Sequence, residues 1–243
     1  MVRTRRIAAA VASAVVLLVA EGGAAPTAIA TPAAPTTVRA GAGDHTFTWR
    51  TPVEAASKVT IANRTGADSA STVMTLHDST APNAYTFELN LPAGTAMIAD
   101  GKGGYDLVDN RYRAARTFAH LDAPWAVDAA GRSLPTAFKL EGSRLTQTID
   151  TREAAYPITA DPHYTWGIIT GTIYFNRQET RDIAYSTGAA TAFMSVLPPP
   201  FDFLFAGASA LLAARAAIAD NHGECLKVKS DPSIGFYRGG YCK

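Results

Sequence analysis

Hydrophobic and polar residues alternate in short blocks from about residue 44 to 162. In YTFELNL, Tyr85, Phe87, Leu89 and Leu91 fall on one face with polar residues between them, the two-residue period of a half-buried strand. AFKLEGSRLTQTI repeats the pattern. Phe138 and Leu140 precede Glu141-Gly142-Ser143, and Leu145, Gln147 and Ile149 alternate on the return, which predicts a β-hairpin with a short Gly-containing loop. Further strands are predicted in SKVTIAN, STVMTLH and GYDLVD, separated by Gly, Pro, Asn and Asp clusters. Many short strands with frequent turns predict an antiparallel β-sandwich-like domain over residues 44–162.

The pattern changes after residue 163. Gly167 to Phe175 reads as a strand, and Asn176 and Glu179 stand at capping-box spacing for a helix running toward Leu197. Pro198-Pro199-Pro200 stops it, and a second helix is predicted from Phe201 to about Asn221. Residues 183–201 carry no charge, and Arg215 is the one charged residue between Asp202 and Asp220. A helix apolar on all sides must be buried in protein or in lipid. The spacings Gly188-x3-Ala192 and Ala206-x3-Ala210-x3-Ala214 permit close helix approach, as in membrane helix pairs. Length argues against a span: Ile183 to Leu197 extends about 22 Å as helix, short of a hydrocarbon core of roughly 30 Å. The expected class is therefore α+β: a sandwich-like domain, then a strand, an apolar helical hairpin and a disulfide-closed C-terminal loop over residues 163–243.

The N-terminus explains part of the composition. Arg3, Arg5 and Arg6 precede the apolar run Ile7 to Ala20, and Ala28-Ile29-Ala30 fits a small-x-small cleavage site, so residues 1–30 read as an export signal. Residues 31–43, TPAAPTTVRAGAG, read as a flexible leader. Of 243 residues 47% are hydrophobic and 18% charged, which excludes a disordered or collagen-like chain. A net charge of +1 points to no nucleic-acid partner.

Export gives the two cysteines a meaning. Cys225 and Cys242 are the whole complement, and in an oxidising compartment they predict one disulfide. A nucleophilic thiol would need a neighbouring base, for which His222 in HGEC is the candidate. The closed segment carries Lys227, Lys229 and Arg238 among Phe236, Tyr237 and Tyr241, an arrangement suited to an anionic surface such as lipid headgroups or wall polymers.

Catalytic signals are sparse. His45, His77 and His120 show no zinc-ligand spacing, and the nearest approach to a nucleophile elbow, Gly207-Ala208-Ser209-Ala210-Leu211, lacks its final glycine. Asp100, Asp106 and Asp109 offer oxygen ligands near a Gly turn, but their spacing fits no calcium loop and Asp and Gly are ordinary turn residues. No catalytic residue, metal ligand or cofactor is assigned.

One segment carries a family resemblance. Trp125, Asp128, Gly131, Leu134 and Pro135 form W-x-x-D-x-x-G-x-x-L-P, and Tyr156, Pro157, Ile158, Asp161 and Pro162 form Y-P-I-x-x-D-P. Together with WGIITGTIYFNRQET and the terminal CLKVKSDPSIGFYRGGYCK, this resembles secreted actinobacterial proteins in which a β-rich region ends at the Y-P-[IV]-x-x-D-P motif and a Cys-containing module follows. The resemblance implies secretion and a two-part layout, and it brings no activity. Locally, the prolines are expected to end strands and Asp161 to cap a turn.

The expected function is that of a non-enzymatic secreted protein of the cell envelope or medium. Its hairpin module would contact a membrane, a wall polymer or a protein partner, in the sharpest form as a bacteriocin-like membrane-active payload. The expected contact residues are Phe193, Met194, Phe201, Phe203, Phe205, Leu211, Leu212, Ile218, Lys227, Lys229 and Arg238. The alternative is a secreted hydrolase drawing on His77, His120, His163 and Asp161, with Asp161 and His163 flanking Pro162 at the domain junction.

Overall fold

The structure is a computed structural model and describes residues 34–53, 58–111, 113–166, 172–186, 188–195, 201, 205, 207–229 and 231–243. The export signal expected over residues 1–30 lies outside the described residues. In chain order the strands are β1 (Thr37–Ala40), β2 (Phe47–Arg50), β3 (Val59–Thr65), β4 (Ser69–Leu76), β5 (Ala84–Asn90), β6 (Thr95–Ala99), β7 (Tyr105–Asp109) and β8 (Ala115–Leu121). They continue as β9 (Trp125–Val127), β10 (Thr136–Glu141), β11 (Arg144–Ile149), β12 (Ile158–Asp161), β13 (His163–Trp166), β14 (Thr172–Tyr174), β15 (Cys225–Lys229) and β16 (Ile234–Tyr237).

Among the described residues these strands form two antiparallel sheets. The smaller has the order β1-β2-β5-β11-β10, and the larger runs β16-β15-β14-β8-β13-β4-β12-β9, with β3 added to β4 and β7 and β6 added to β8. The predicted hairpin is β10–β11, in which Glu141 faces Arg144 across Gly142-Ser143, and Gly142 takes a positive φ of 61°. Tyr85, Phe87 and Leu89 are buried on β5 as the alternation requires. Thr37–Ala40, assigned to the flexible leader by its composition, is instead an edge strand paired with β2, because Val38 and Ala40 reach the core.

One core holds the sheets face to face. Phe47, Trp49, Tyr85, Phe87 and Leu145 from the smaller sheet meet Met74, Leu76, Leu107, Leu121 and Tyr164 from the larger. The Trp49 indole N–H donates to Thr72 Oγ1 across the interface at 2.8 Å, and its ring lies 4.6 Å from that of Tyr164. Thr72 Oγ1 in turn donates to Asn63 Oδ1, so the indole's polar atom is satisfied inside the core.

The boundary expected between residues 162 and 163 falls inside a strand run. β12 and β13 both pair with β4 on either side of Pro162, whose carbonyl accepts the N–H of Thr72. β14, β15 and β16 then extend the same sheet, so the C-terminal segment expected as a closed loop supplies two strands. Among the described residues the named helices are α1 (Arg177–Tyr185), α2 (Ala189–Ser195) and α3 (Ser209–Asn221). The first expected helix is broken into α1 and α2 where Gly188 adopts φ 80°. Phe201, the expected start of the second, is helical, with its carbonyl accepting the Phe205 N–H; residues 202–204 and 206 lie outside the described residues, and α3 follows Gly207, whose φ is 78°.

The hairpin packs on the sheet. Ile183, Phe193, Phe201, Phe205, Leu212 and Ala216 form a core with Ile173, Phe175, Leu226 and Val228. As contact residues, Phe193, Phe201, Phe205 and Leu212 are therefore corrected: their apolar surface is already covered by β14 and β15. Leu211 and Ile218 are exposed on α3, and Arg238 is exposed and paired with Glu224. Lys227 is partly covered, with Nζ 5.8 Å above the Tyr174 ring, and Lys229 is half-buried. Phe203 and the Met194 side chain lie outside the described residues.

The capping box at Asn176 forms as expected and does more than start a helix. Asn176 Oδ1 accepts the Glu179 N–H, while buried Glu179 accepts the N–H of Asn176 through Oε2 and that of Ala114 through Oε1. Tyr241 contacts both side chains, accepting from Asn176 Nδ2 and donating to Glu179 Oε2. The C-terminal turn is thus tied to the helix start as well as to β15 through the Cys225–Cys242 disulfide. These cysteines are 17 residues apart, and closing a loop of that length contributes about 3 kcal/mol. Urea unfolding of a Cys225→Ala/Cys242→Ala variant is expected to show that loss with an otherwise native fold; an unchanged midpoint would contradict it.

Candidate functional site

The alternation that buries Ala70, Thr72, Ala160 and Tyr164 turns Ser69, Ser71, Asp161 and His163 to the opposite face of the larger sheet. Register brings them together. His163 faces Ser71 across β13 and β4, and Asp161 faces Trp125 across β12 and β9. Arg64, Ser69, Ser71, Trp125, Asp161 and His163 line an open cleft of about 420 Å³ there.

Asp161 is the anomalous group of this cleft. Its residue is 6% exposed, and Oδ1 is buried without a hydrogen-bond partner. Leaving a charged oxygen in that state is costly. Burial pushes the carboxyl up to about 6, against the opposing charge of His163; Asp122 adds to the rise, and Arg64 and the Trp125 side chain reduce it. The expectation that Asp161 caps a turn is corrected: Pro162 places it inside a continuous strand run, where no backbone donor meets Oδ1. Turn capping belongs instead to Asp128 of the same motif, which accepts the N–H groups of Ala130, Arg132 and Ala155.

Behind the cleft runs a chain of acids and histidines. His163 Nδ1 donates to Asp122 Oδ2 at 2.6 Å, and Asp122 Oδ1 lies 3.6 Å from His120 Nε2. His120 Nδ1 donates to Asp106 Oδ1 at 2.8 Å, and the buried Tyr174 hydroxyl donates to Asp106 Oδ2 at 2.5 Å. The bond to Asp106 raises the His120 pKa against the cost of burial. Burial likewise pushes the Tyr174 phenol up, with the Asp106 charge adding to it.

Of the residues considered for a hydrolase, the structure joins His120, His163 and Asp161 into one region. His77 is not part of it: it bonds Thr60 on the exposed surface of β3. The three aspartates with calcium-like oxygen ligands are engaged within the protein, and Asp100 and Asp106 share His120, with Asp100 Oδ2 3.8 Å from its Nε2. Asp100 accepts the N–H groups of Lys102 and Gly104, Asp106 binds His120 and Tyr174, and Asp109 is held well below the usual carboxylate range by Arg111 and His45. Among the described residues no group of three or more His, Cys, Asp or Glu side chains is arranged to hold a metal ion. His222 near Cys225 is exposed, and both cysteines are bonded to each other.

Trp125, Ser71, Arg64 and Asp122 were not evident as site residues from the sequence. Trp125 and Asp161 belong to the two halves of the motif that carries the resemblance, yet nothing in their 36-residue separation shows that β9 and β12 pair. At 41% exposure, Trp125 presents an aromatic surface on an edge strand beside a buried carboxylate. The cleft can therefore accept donors at Asp161, donate from Arg64 and the serines, and stack a flat apolar face.

The raised pKa of Asp161 has a stability signature. Between its ordinary value of 3.8 and about 6, the folded chain keeps a proton that the unfolded chain has released, so this group's contribution falls as pH rises through that window. The full difference is on the order of 3 kcal/mol. Asp161→Asn is expected to match the wild type in melting temperature at pH 4 and to exceed it by several degrees at pH 7.5. A variant less stable at both values would contradict this. No protein-family model, no curated protein and no solved structure matches the chain, so the chemistry of this cleft stands on its own residues.

Proposed function

We propose that the chain is a secreted, non-enzymatic protein of the cell envelope or medium that binds a wall polymer through the cleft at Trp125, Asp161 and His163. The observation that carries this reading is that Asp161, a buried carboxylate with one oxygen left unpartnered, lines an open cleft. A ligand hydroxyl donating to the carboxylate would offset part of the cost of burying its charge, and destabilising groups are often retained at binding sites. Secretion rests on the export signal, and an actinobacterial source on the motif resemblance. The contact surface moves from the hairpin to the cleft because a membrane-active role would require Phe193, Phe201, Phe205 and Leu212 to leave a packed core.

A second reading, hydrolysis, is favoured by the Asp122–His163 hydrogen bond lying opposite Ser71. The backbone argues against it. A serine nucleophile uses amide groups next to it to hold the oxyanion, and the Thr72 N–H is already donated to Pro162 O within the sheet. Ser71 also sits inside a strand rather than on a sharp turn.

Sedimentation of the full chain with insoluble peptidoglycan tests the binding reading. The wild type is expected to co-sediment, and Asp161→Asn to weaken binding roughly tenfold by removing a charged acceptor. Absence of co-sedimentation, or equal binding by both proteins, would overturn it. On a panel of p-nitrophenyl esters and glycosides no turnover is expected; turnover abolished by both His163→Ala and Ser71→Ala would establish the hydrolase instead.

A further inference from the structure

Resting on the reading that this cleft is a binding site, we infer that its ligand is a neutral, hydroxyl-rich glycan whose sugar ring stacks on Trp125 while its hydroxyls bond Asp161 and the Ser69 and Ser71 side chains. Charge selects against the other classes. A cationic ligand drawn to Asp161 meets Arg64 in the same cleft, and an anionic ligand drawn to Arg64 meets Asp161, with Asp122 behind His163. A neutral ring carrying several hydroxyls satisfies both, because each hydroxyl donates to a carboxylate and accepts from a guanidinium.

Trp125 supplies the second element of recognition. The chain holds three tryptophans, of which Trp49 is 0% and Trp166 6% exposed, so Trp125 is the one at the surface. Asp161 is its cross-strand partner, and Ser69, Ser71 and Thr159 line the same cleft beside the apolar Val73. An exposed aromatic face bordered by hydroxyls and a carboxylate matches a ligand with one apolar face and a polar rim, which a pyranose ring has. Asp161 Oδ1 is covered in the free protein, so a ligand hydroxyl reaches the carboxylate from the side that lines the cleft. Because β9 is an edge strand, the cleft is not closed at that side, and a polymer can run past Trp125.

Calorimetric titration of the full chain with tetramers of N-acetylglucosamine, β-1,4-glucose and α-1,4-glucose tests the inference, with tetralysine and tripolyphosphate as the charged arms. At least one neutral tetramer is expected to bind and to shield Trp125 fluorescence from acrylamide, whereas the charged probes leave it unshielded. Trp125→Phe is expected to retain binding within a few-fold and Trp125→Ala to weaken it roughly tenfold or more. Both variants lose the same Trp125 side-chain bond to Asp161 and should shift in midpoint alike, so a difference in binding between them reports the aromatic face. Binding of tetralysine or tripolyphosphate in place of the sugars, or sugar binding indifferent to Trp125→Ala, would overturn the glycan assignment. Peptidoglycan binding that responds to Asp161→Asn without any sugar binding would do the same while leaving the cleft as the binding site. Peptidoglycan binding indifferent to both Asp161 and Trp125 would refute the cleft itself.

Discussion

Trp49 stands between the two sheets, its indole N–H bonded to Thr72 and its ring against Tyr164, and the outer surface of the larger sheet follows from that contact. Side chains on a strand alternate, so drawing Thr72 of β4 and Tyr164 of β13 into the core leaves Ser71 and His163 no choice of face. Asp161 and Ser69 follow by the same parity along β12 and β4. A one-residue slip of β13 on β4 would bury His163 and expose Tyr164, which the aromatic cluster of Phe47, Trp49 and Tyr164 opposes. The cleft is in this sense a by-product of the core's register.

That register accounts for the position of Asp161 and not for its chemistry. The same strand run holds Thr159 and His163 on the outer face, and neither leaves a buried polar side-chain atom unpartnered. Asp161 does, beside a histidine whose own proton is committed to Asp122. An asparagine of the same shape would avoid the cost of burying charge, so the carboxylate is better understood through a ligand than through the fold. The contrast with Glu179 is instructive. That carboxylate is as deeply buried, but two backbone N–H groups and the Tyr241 hydroxyl surround it, and its role is to join the C-terminal turn to the helix start.

The local features of the fold were legible in the sequence where one short segment determines the outcome. The alternation of Tyr85, Phe87 and Leu89, the Gly142 hairpin, the Asn176–Glu179 cap and the single disulfide all depend on neighbours or on compartment. Features set by distant pairing were not. β1 was hidden in a Pro- and Gly-rich leader because only β2 makes it a strand, and residue 162 looked like a boundary because composition changes there while the ladder on β4 continues. The apolar helices were recognisable as buried, but periodicity does not say by what; the outer faces of β14 and β15 provide the answer. In the cleft, Asp161 and His163 were visible as a pair flanking Pro162. Trp125, Arg64 and Ser71 reach them through sheet pairing, which no local pattern encodes.

The central claim is that the cleft of the free protein holds a carboxylate whose burial awaits a ligand. Titration of the Asp161 side-chain carboxyl carbon by NMR tests it most directly. A midpoint near 6 in the free protein, moving downward when a cleft ligand donates hydrogen bonds to the ionised form, is the expected result. A midpoint at the ordinary aspartate value of 3.8 in the free protein would contradict it.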